Sequence, residues 1–186
     1  MRSISQKTIC LIQVLALLYV TGCGLSRGLR KGSKTNRPPS VLKSSDGACQ
    51  ISLPAGWGEN RELHDSAELQ AANESEEMYV IILQESKEDF REMTIDKHSE
   101  TTREVLEESL TAPQVKEPTR STIDGHPSLQ SEVRGTAENV NVAYLHTTVE
   151  TETRYYQIIA WTLSSRFIKN RSKLQEVIES FHEIAD

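Results

Sequence analysis

The 186-residue chain is long enough for one domain once a targeting segment is set aside. Its 37% hydrophobic content and mean hydropathy of −0.48 describe a soluble globular composition with a polar surface. Eight of its 21 basic residues precede Gly47, leaving 13 basic against 26 acidic residues from there on, and a domain so acidic makes a poor nucleic-acid binder, which needs clustered Lys and Arg.

The acidity first supplies solubility and self-repulsion. A docking surface for a basic partner, or weak cation binding, is the sharper reading of the same charge.

Arg2 and Lys7 precede an apolar core from Thr8 to Val20. That core is too short to span a bilayer, which takes about 20 residues of helix. A basic start, an apolar core and a small-residue exit make residues 1–22 a signal peptide. The exit, Val20-Thr21-Gly22-Cys23, resembles the lipobox of bacterial lipoproteins. The resemblance implies cleavage between Gly22 and Cys23 and a diacylglycerol thioether on Cys23, with palmitate-type acyl chains in the membrane. Each buried CH₂ contributes about 0.8 kcal/mol, and two or more chains anchor stably where one does not. Gly24 rather than Asp follows the cysteine. By the enterobacterial sorting pattern this implies the outer membrane in a host with two membranes, and an extracytoplasmic, periplasmic-side domain.

Residues 23–46 read as the lipidated cysteine and a basic flexible linker rich in Gly, Ser, Pro, Lys and Arg. Such a tether reaches about 80 Å extended and about 25 Å as a coil. Its charge favours an anionic lipid surface.

Residues 47–186 read as one globular domain. Ala48–Leu53 alternates as a strand with Cys49, Ile51 and Leu53 on one face, and Pro54–Gly58 turns it. Glu68–Ala72 reads as a second strand. Met78–Leu83 is a continuous apolar run, which fits a strand covered on both faces. Asp89–Leu110 has helical spacing, with Ile95, Thr102, Val105, Leu106 and Leu110 on one side. Gln114–Thr122 reads as a strand of weak apolar content. Asp124-Gly125 is the strongest hairpin signal, since both residues tolerate positive φ. Leu129–Val133, Val140–Val149 and Tyr155–Thr162 follow as strands, the last apolar on both faces, with Tyr155, Ile159 and Trp161 facing one way and Tyr156, Ile158 and Ala160 the other. Lys173–Ile184 reads as the closing helix, with Ser172 and Gln175 as a capping box and Leu174, Val177, Ile178 and Phe181 as its stripe. The expected class is α+β, with six or seven mostly antiparallel strands and helices on both faces of one sheet.

Motifs for chemistry are scarce. Cys10 leaves with the signal peptide and Cys23 is lipidated, so Cys49 remains alone and reads as a small core residue. The histidines 64, 98, 126, 146 and 182 show no metal-binding spacing, so no metal, cofactor or catalytic residue is expected. His64-Asp65 and Asp96-Lys97-His98 are neighbours that chance produces in an acidic chain. Trp57 and Trp161 read first as core. Trp57, between glycines, is the better candidate for partial exposure and partner contact.

The order of short motifs carries a resemblance. Leu53–Trp57 follows a strand; Glu85-Ser86 follows the apolar strand from Tyr79; a helix, the Ile123–Pro127 turn, the Tyr155-Tyr156 strand and a helix ending in Ser180-Phe181 complete it. Over residues 47–184 this resembles the PsbP-like superfamily and, within it, the bacterial DcrB-like lipoproteins. The resemblance implies an α/β/α sandwich around a bent sheet. It also implies a non-enzymatic role, since members are mostly photosystem-associated proteins, envelope lipoproteins, secretion-effector chaperones and a nuclear-import factor. The signal peptide speaks against the cytoplasmic chaperone role. The expected function is therefore an envelope lipoprotein that binds or scaffolds an envelope protein. A small-ligand or metal binder, or a purely structural envelope protein, is the alternative.

Overall fold

The computed structural model describes residues 37–184, so the lipobox at 20–23 and most of the basic tether lie outside the described residues. In chain order the strands and helices are β1 (Ser40–Lys43), β2 (Cys49–Leu53), β3 (Gly58–Glu59), β4 (Leu69–Asn73), β5 (Met78–Ser86), α1 (Ile95–Glu108), β6 (Thr111–Val115) and β7 (Thr119–Ile123). Then come β8 (His126–Ala137), β9 (Val140–Glu150), β10 (Arg154–Leu163), α2 (Phe167–Glu179) and β11 (His182–Glu183). The main sheet has eight strands in the order β3-β4-β5-β10-β9-β8-β6, with β7 also paired to β8. A second sheet joins β1, β2 and β11. Each pairing is antiparallel.

The two apolar faces of β10 explain the layering. Tyr156, Ile158 and Ala160 pack with Phe167, Leu174, Val177 and Ile178 of α2 and with Cys49, Ile51 and Leu53 of β2. Ile159 points the other way, into a core with Ile81, Leu83, Tyr144 and Leu106 and Leu110 at the end of α1. Full burial of a large apolar side chain contributes about 1.5–3 kcal/mol, so both faces must be covered. Helix α1 covers one, and α2 with the small sheet covers the other. The α+β sandwich expected from the sequence is the observed one.

Its details differ from expectation in several places, among them the end of the chain: the helix expected to reach Ile184 stops at Glu179, and His182–Glu183 pair with β2 as strand β11. Ser40–Lys43, assigned to the tether, is strand β1 and pairs Val41 with Ser52 and Leu42 with Ile51. Four residues after two prolines carry too little periodicity to be legible. The 114–122 strand is two strands, interrupted at 116–118; with the two-residue β3 added and β2 placed in the small sheet, the main sheet counts eight. Helix α1 begins at Ile95 rather than Asp89, because Thr94 Oγ1 accepts the Lys97 amide at 3.3 Å and caps it there. Helix α2 begins at Phe167, so Ser172 and Gln175 are interior and Gln175 donates to Glu179 at 3.0 Å instead of capping. Tertiary anchors set that start: Phe167 is buried, and Asn170 Nδ2 donates to the Glu76 carbonyl at 2.9 Å and lies 3.0 Å from Thr162 Oγ1.

The Asp124-Gly125 hairpin forms as expected, with φ of 53° and 79° and Ile123 opposite His126. A Cβ added at Gly125 would meet nothing within 4 Å, so Gly125→Ala probes backbone strain alone. It is expected to lower stability by about 1–2 kcal/mol, read as a lower urea midpoint, whereas Gly125→Asn stays close to the parent.

Candidate functional site

Two polar places stand out, one sealed and one open. The sealed one lies beneath α1. His98 on α1 is 1% exposed and His146 on β9 is 0% exposed. They are 48 positions apart in the chain, which no spacing rule could have joined. His98 Nε2 lies 2.7 Å from Glu85 Oε2, to which Gln157 Nε2 also donates at 2.9 Å. The Tyr155 ring stacks on His98 at 4.4 Å, and its hydroxyl donates to the Met93 carbonyl at 2.9 Å. Thr102 donates to the His98 carbonyl at 2.9 Å and lies 3.2 Å from His146 Nε2.

Burial pushes the His146 imidazole down to about 3, helped by the charges of His98 and Arg103, so it is neutral at physiological pH. Burial raises the Glu85 carboxyl, but the bonds from His98 and Gln157 outweigh it and hold it below its ordinary value. Acid–base catalysis needs a group that reaches a substrate. These rings are enclosed by α1 and the sheet, and what they do is fasten the two layers together.

The open place lies on the opposite face of the sheet, beside α2. Register aligns Gln114 with Arg134, and the Lys116 amide donates to the Glu132 carbonyl at 2.9 Å, so all four side chains share this face. Glu132 is 8% exposed. Its Oε1 takes Lys116 Nζ at 3.0 Å, Arg134 Nε at 2.8 Å and Arg134 Nη2 at 2.7 Å, while Arg171 Nε of α2 stands 4.0 Å from Oε2. Burial raises the Glu132 carboxyl, but its bonds to Lys116 and Arg134 win and lower it, so it stays charged. The Arg134 guanidinium also lies 4.8 Å over the Phe167 ring. Together Gln114, Val115, Lys116, Glu132 and Arg134 line a groove of about 390 Å³.

With this geometry in hand, comparison with solved structures is decisive for the fold. Over 89% of this chain and 99% of its own, the cyanobacterial PsbP (CyanoP) of Synechocystis superposes with a TM-score of 0.59 at 12% identity. LpqN of Mycobacterium tuberculosis, a protein involved in cell envelope biogenesis, matches at 0.60 and 10% identity over 79% of this chain and 91% of its own. The Ran-binding protein Mog1p of Saccharomyces cerevisiae matches at 0.56 and 13% identity over 79% and 96%. The domain has the PsbP-like fold. No protein-family profile matches the sequence, and no curated protein matches it either.

Within this PsbP-like domain the sequence-derived candidates fall as follows. Gly22 and Cys23 lie outside the described residues. Trp57, expected to be partly exposed for partner contact, is 2% exposed in the α2-side core. The turn at Pro54–Gly58 folds the indole inward against β2 and β4 rather than displaying it. Trp161 is the half-buried one, stacked on Tyr79 at 5.3 Å. Cys49 is fully buried, and burial pushes its thiol up to about 11, consistent with a core residue. His64 and Asp65 line a cavity of about 350 Å³ with Glu59 and Glu68, opposed by Lys43 and Arg61. Among the described residues no three His, Cys, Asp or Glu side chains are placed to hold a metal ion.

The basic groove escaped the sequence reading. A signal for it existed: Gln130, Glu132 and Arg134 alternate with Leu129, Ser131 and Val133, marking one face of this strand as polar and uncovered by a helix.

Proposed function

We propose that the chain is a membrane-anchored bacterial envelope lipoprotein whose PsbP-like domain binds or scaffolds another envelope component without catalysis. The observation that carries this reading is the contrast between the two polar places. His98 and His146 are buried beneath α1, out of reach of a substrate, while the groove walled by charges and a sheet edge is open to solvent. The fold is shared with a protein of cell envelope biogenesis and with a Ran-binding protein, which supports a binding role. The DcrB-like branch of the fold fits the lipobox best. Cys23 carries the lipid, and Gly24 directs the protein to the outer membrane in a host with two membranes.

In cells fed labelled palmitate the chain is expected to take up label, and Cys23→Ala is expected to lose it completely. Label retained by the variant refutes the anchor. Crosslinking in intact cells followed by mass spectrometry tests the binding role. A reproducible envelope-protein partner is the expected result, and its absence at native expression counts against the reading.

A further inference from the structure

From Gly47 onward acidic residues outnumber basic ones by 26 to 13, yet the groove beside α2 has the opposite sign. Lys116, Arg134 and Arg171 converge there on a single carboxylate, Glu132, leaving a local excess of two positive charges. The three cations are not equivalent. Arg134 is clamped between Glu132 and the Phe167 ring, which fixes its guanidinium plane. Lys116 and Arg171 are exposed and meet Glu132 from the solvent side, where a ligand carboxylate reaches them.

Two further features lie on α2, which carries Arg171, and on β6, which ends just before Lys116. Ile168 lies three residues before Arg171, on the same side of α2, and is 93% exposed, the most exposed large apolar side chain among the described residues. Strand β6 is exposed along its whole length and sits at the edge of the sheet, with no strand on its outer side among the described residues. Pro113 and the positive φ of Ala112 disrupt its first half, and a register shift falls between Thr111 and Gln114. The regular part is the end that enters the groove. A concave, cationic site with one apolar side chain and a strand edge fits an extended chain, whose alternate side chains meet one face.

We infer that this groove docks an acidic, extended segment of a protein partner, its carboxylates meeting Lys116, Arg134 and Arg171 and an apolar side chain meeting Ile168. Charge complementarity favours that occupant: the domain as a whole is net negative, while the groove carries the opposite sign and attracts an acidic chain. The inference rests on the binding role proposed above and names the chemistry of the partner.

The test uses the full chain in nonionic detergent micelles and a fluorescent peptide of about 12 alternating Glu and Leu residues, with a Lys-Leu counterpart. The acidic peptide is expected to bind, and the basic one not. The double variant Lys116→Glu with Arg171→Glu is expected to weaken binding at least about tenfold, since both are rim charges whose reversal turns attraction into repulsion. Ile168→Ser is expected to weaken it about threefold, and Arg61→Glu, an exposed cation elsewhere, to leave it unchanged. Both altered cations are exposed, and an unchanged thermal transition establishes that the double variant folds. Equal binding by all variants overturns the inference. So does complete displacement of the peptide by phosphatidylglycerol in the micelles, which makes the occupant a lipid surface, or by inorganic phosphate, which makes it a small anion.

A photocrosslinker at Gln114 in cells is expected to capture an acidic stretch of the partner. Crosslinks from position 61 but not from 114 overturn the groove and leave the binding role standing. Crosslinks from neither position remove both.

Discussion

Trp57→Ala is expected to destabilise the domain by about 3–5 kcal/mol, the range for removing a buried aromatic side chain. Trp57 is 2% exposed and belongs to the core shared by β2, β10 and α2. A loss of that size is a large part of the about 5–15 kcal/mol that holds a domain of this size together. Trp161→Ala is expected to cost less, about 1–3 kcal/mol, because its ring is partly exposed and its partners are Tyr79 at 5.3 Å and Tyr144 at 6.0 Å. Urea denaturation distinguishes them: each variant retains one tryptophan as reporter, and the Trp57 variant shows the lower midpoint at an unchanged slope. The reverse order, with Trp57→Ala near the parent and impaired in partner capture, restores Trp57 as a surface anchor.

The difference between these two residues also indicates what the sequence could tell. Alternation along Tyr155–Thr162 correctly divided its side chains between two cores, because a strand's side chains alternate and this one is covered on both sides. That strand and Met78–Leu83 together made helices on both faces a necessity. Local φ preference likewise fixed the Asp124-Gly125 turn. Trp57 was not legible in this way. Neighbouring glycines permit either exposure or a tight inward turn, and the choice belongs to β2 and β4, which close over it. The start of α2 was hidden for the same reason: Ser172 offered a cap in sequence, but Phe167 and Asn170 had tertiary partners that outweighed it.

Candidate sites follow the same division. The cluster beneath α1 joins the buried His98, His146 and Gln157 to the partly exposed Glu85 from four elements, and nothing in their spacing encodes it. The basic groove was half legible, since the polar face of β8 can be read from alternation. The arrival of Arg171 from α2 cannot. Net charge misled in this respect: acidity predicted a basic partner, whereas the concave site carries the minority sign.

Acid lability should trace to His146. Its imidazole titrates near 6.5 when the chain is unfolded and near 3 when it is buried beneath α1. Between those values the unfolded chain binds a proton that the native domain refuses, so stability rises with pH there and is lost as pH falls from about 6.5 toward 3. One proton's difference amounts to about 1.4 kcal/mol per pH unit. Glu85 adds a loss in the same direction, but only lower down. Its carboxyl is held below its ordinary 4.5, so its contribution is present above that value and fades as pH drops through its native value. The interval from about 4.5 to 6.5 therefore isolates the histidine from the Glu85 carboxylate. His146→Gln is expected to start less stable at neutral pH, because the bond with Thr102 at 3.2 Å is disturbed in a fully buried site. Its stability is nevertheless expected to fall more gently with acid, by up to about one proton's worth of slope. Urea denaturation of both chains at several pH values from about 7 down to 4.5 measures this directly. Parallel profiles sink the assignment: they require that His146 titrates alike in the native and unfolded chains, which a ring enclosed between α1 and the sheet cannot do without opening that layer.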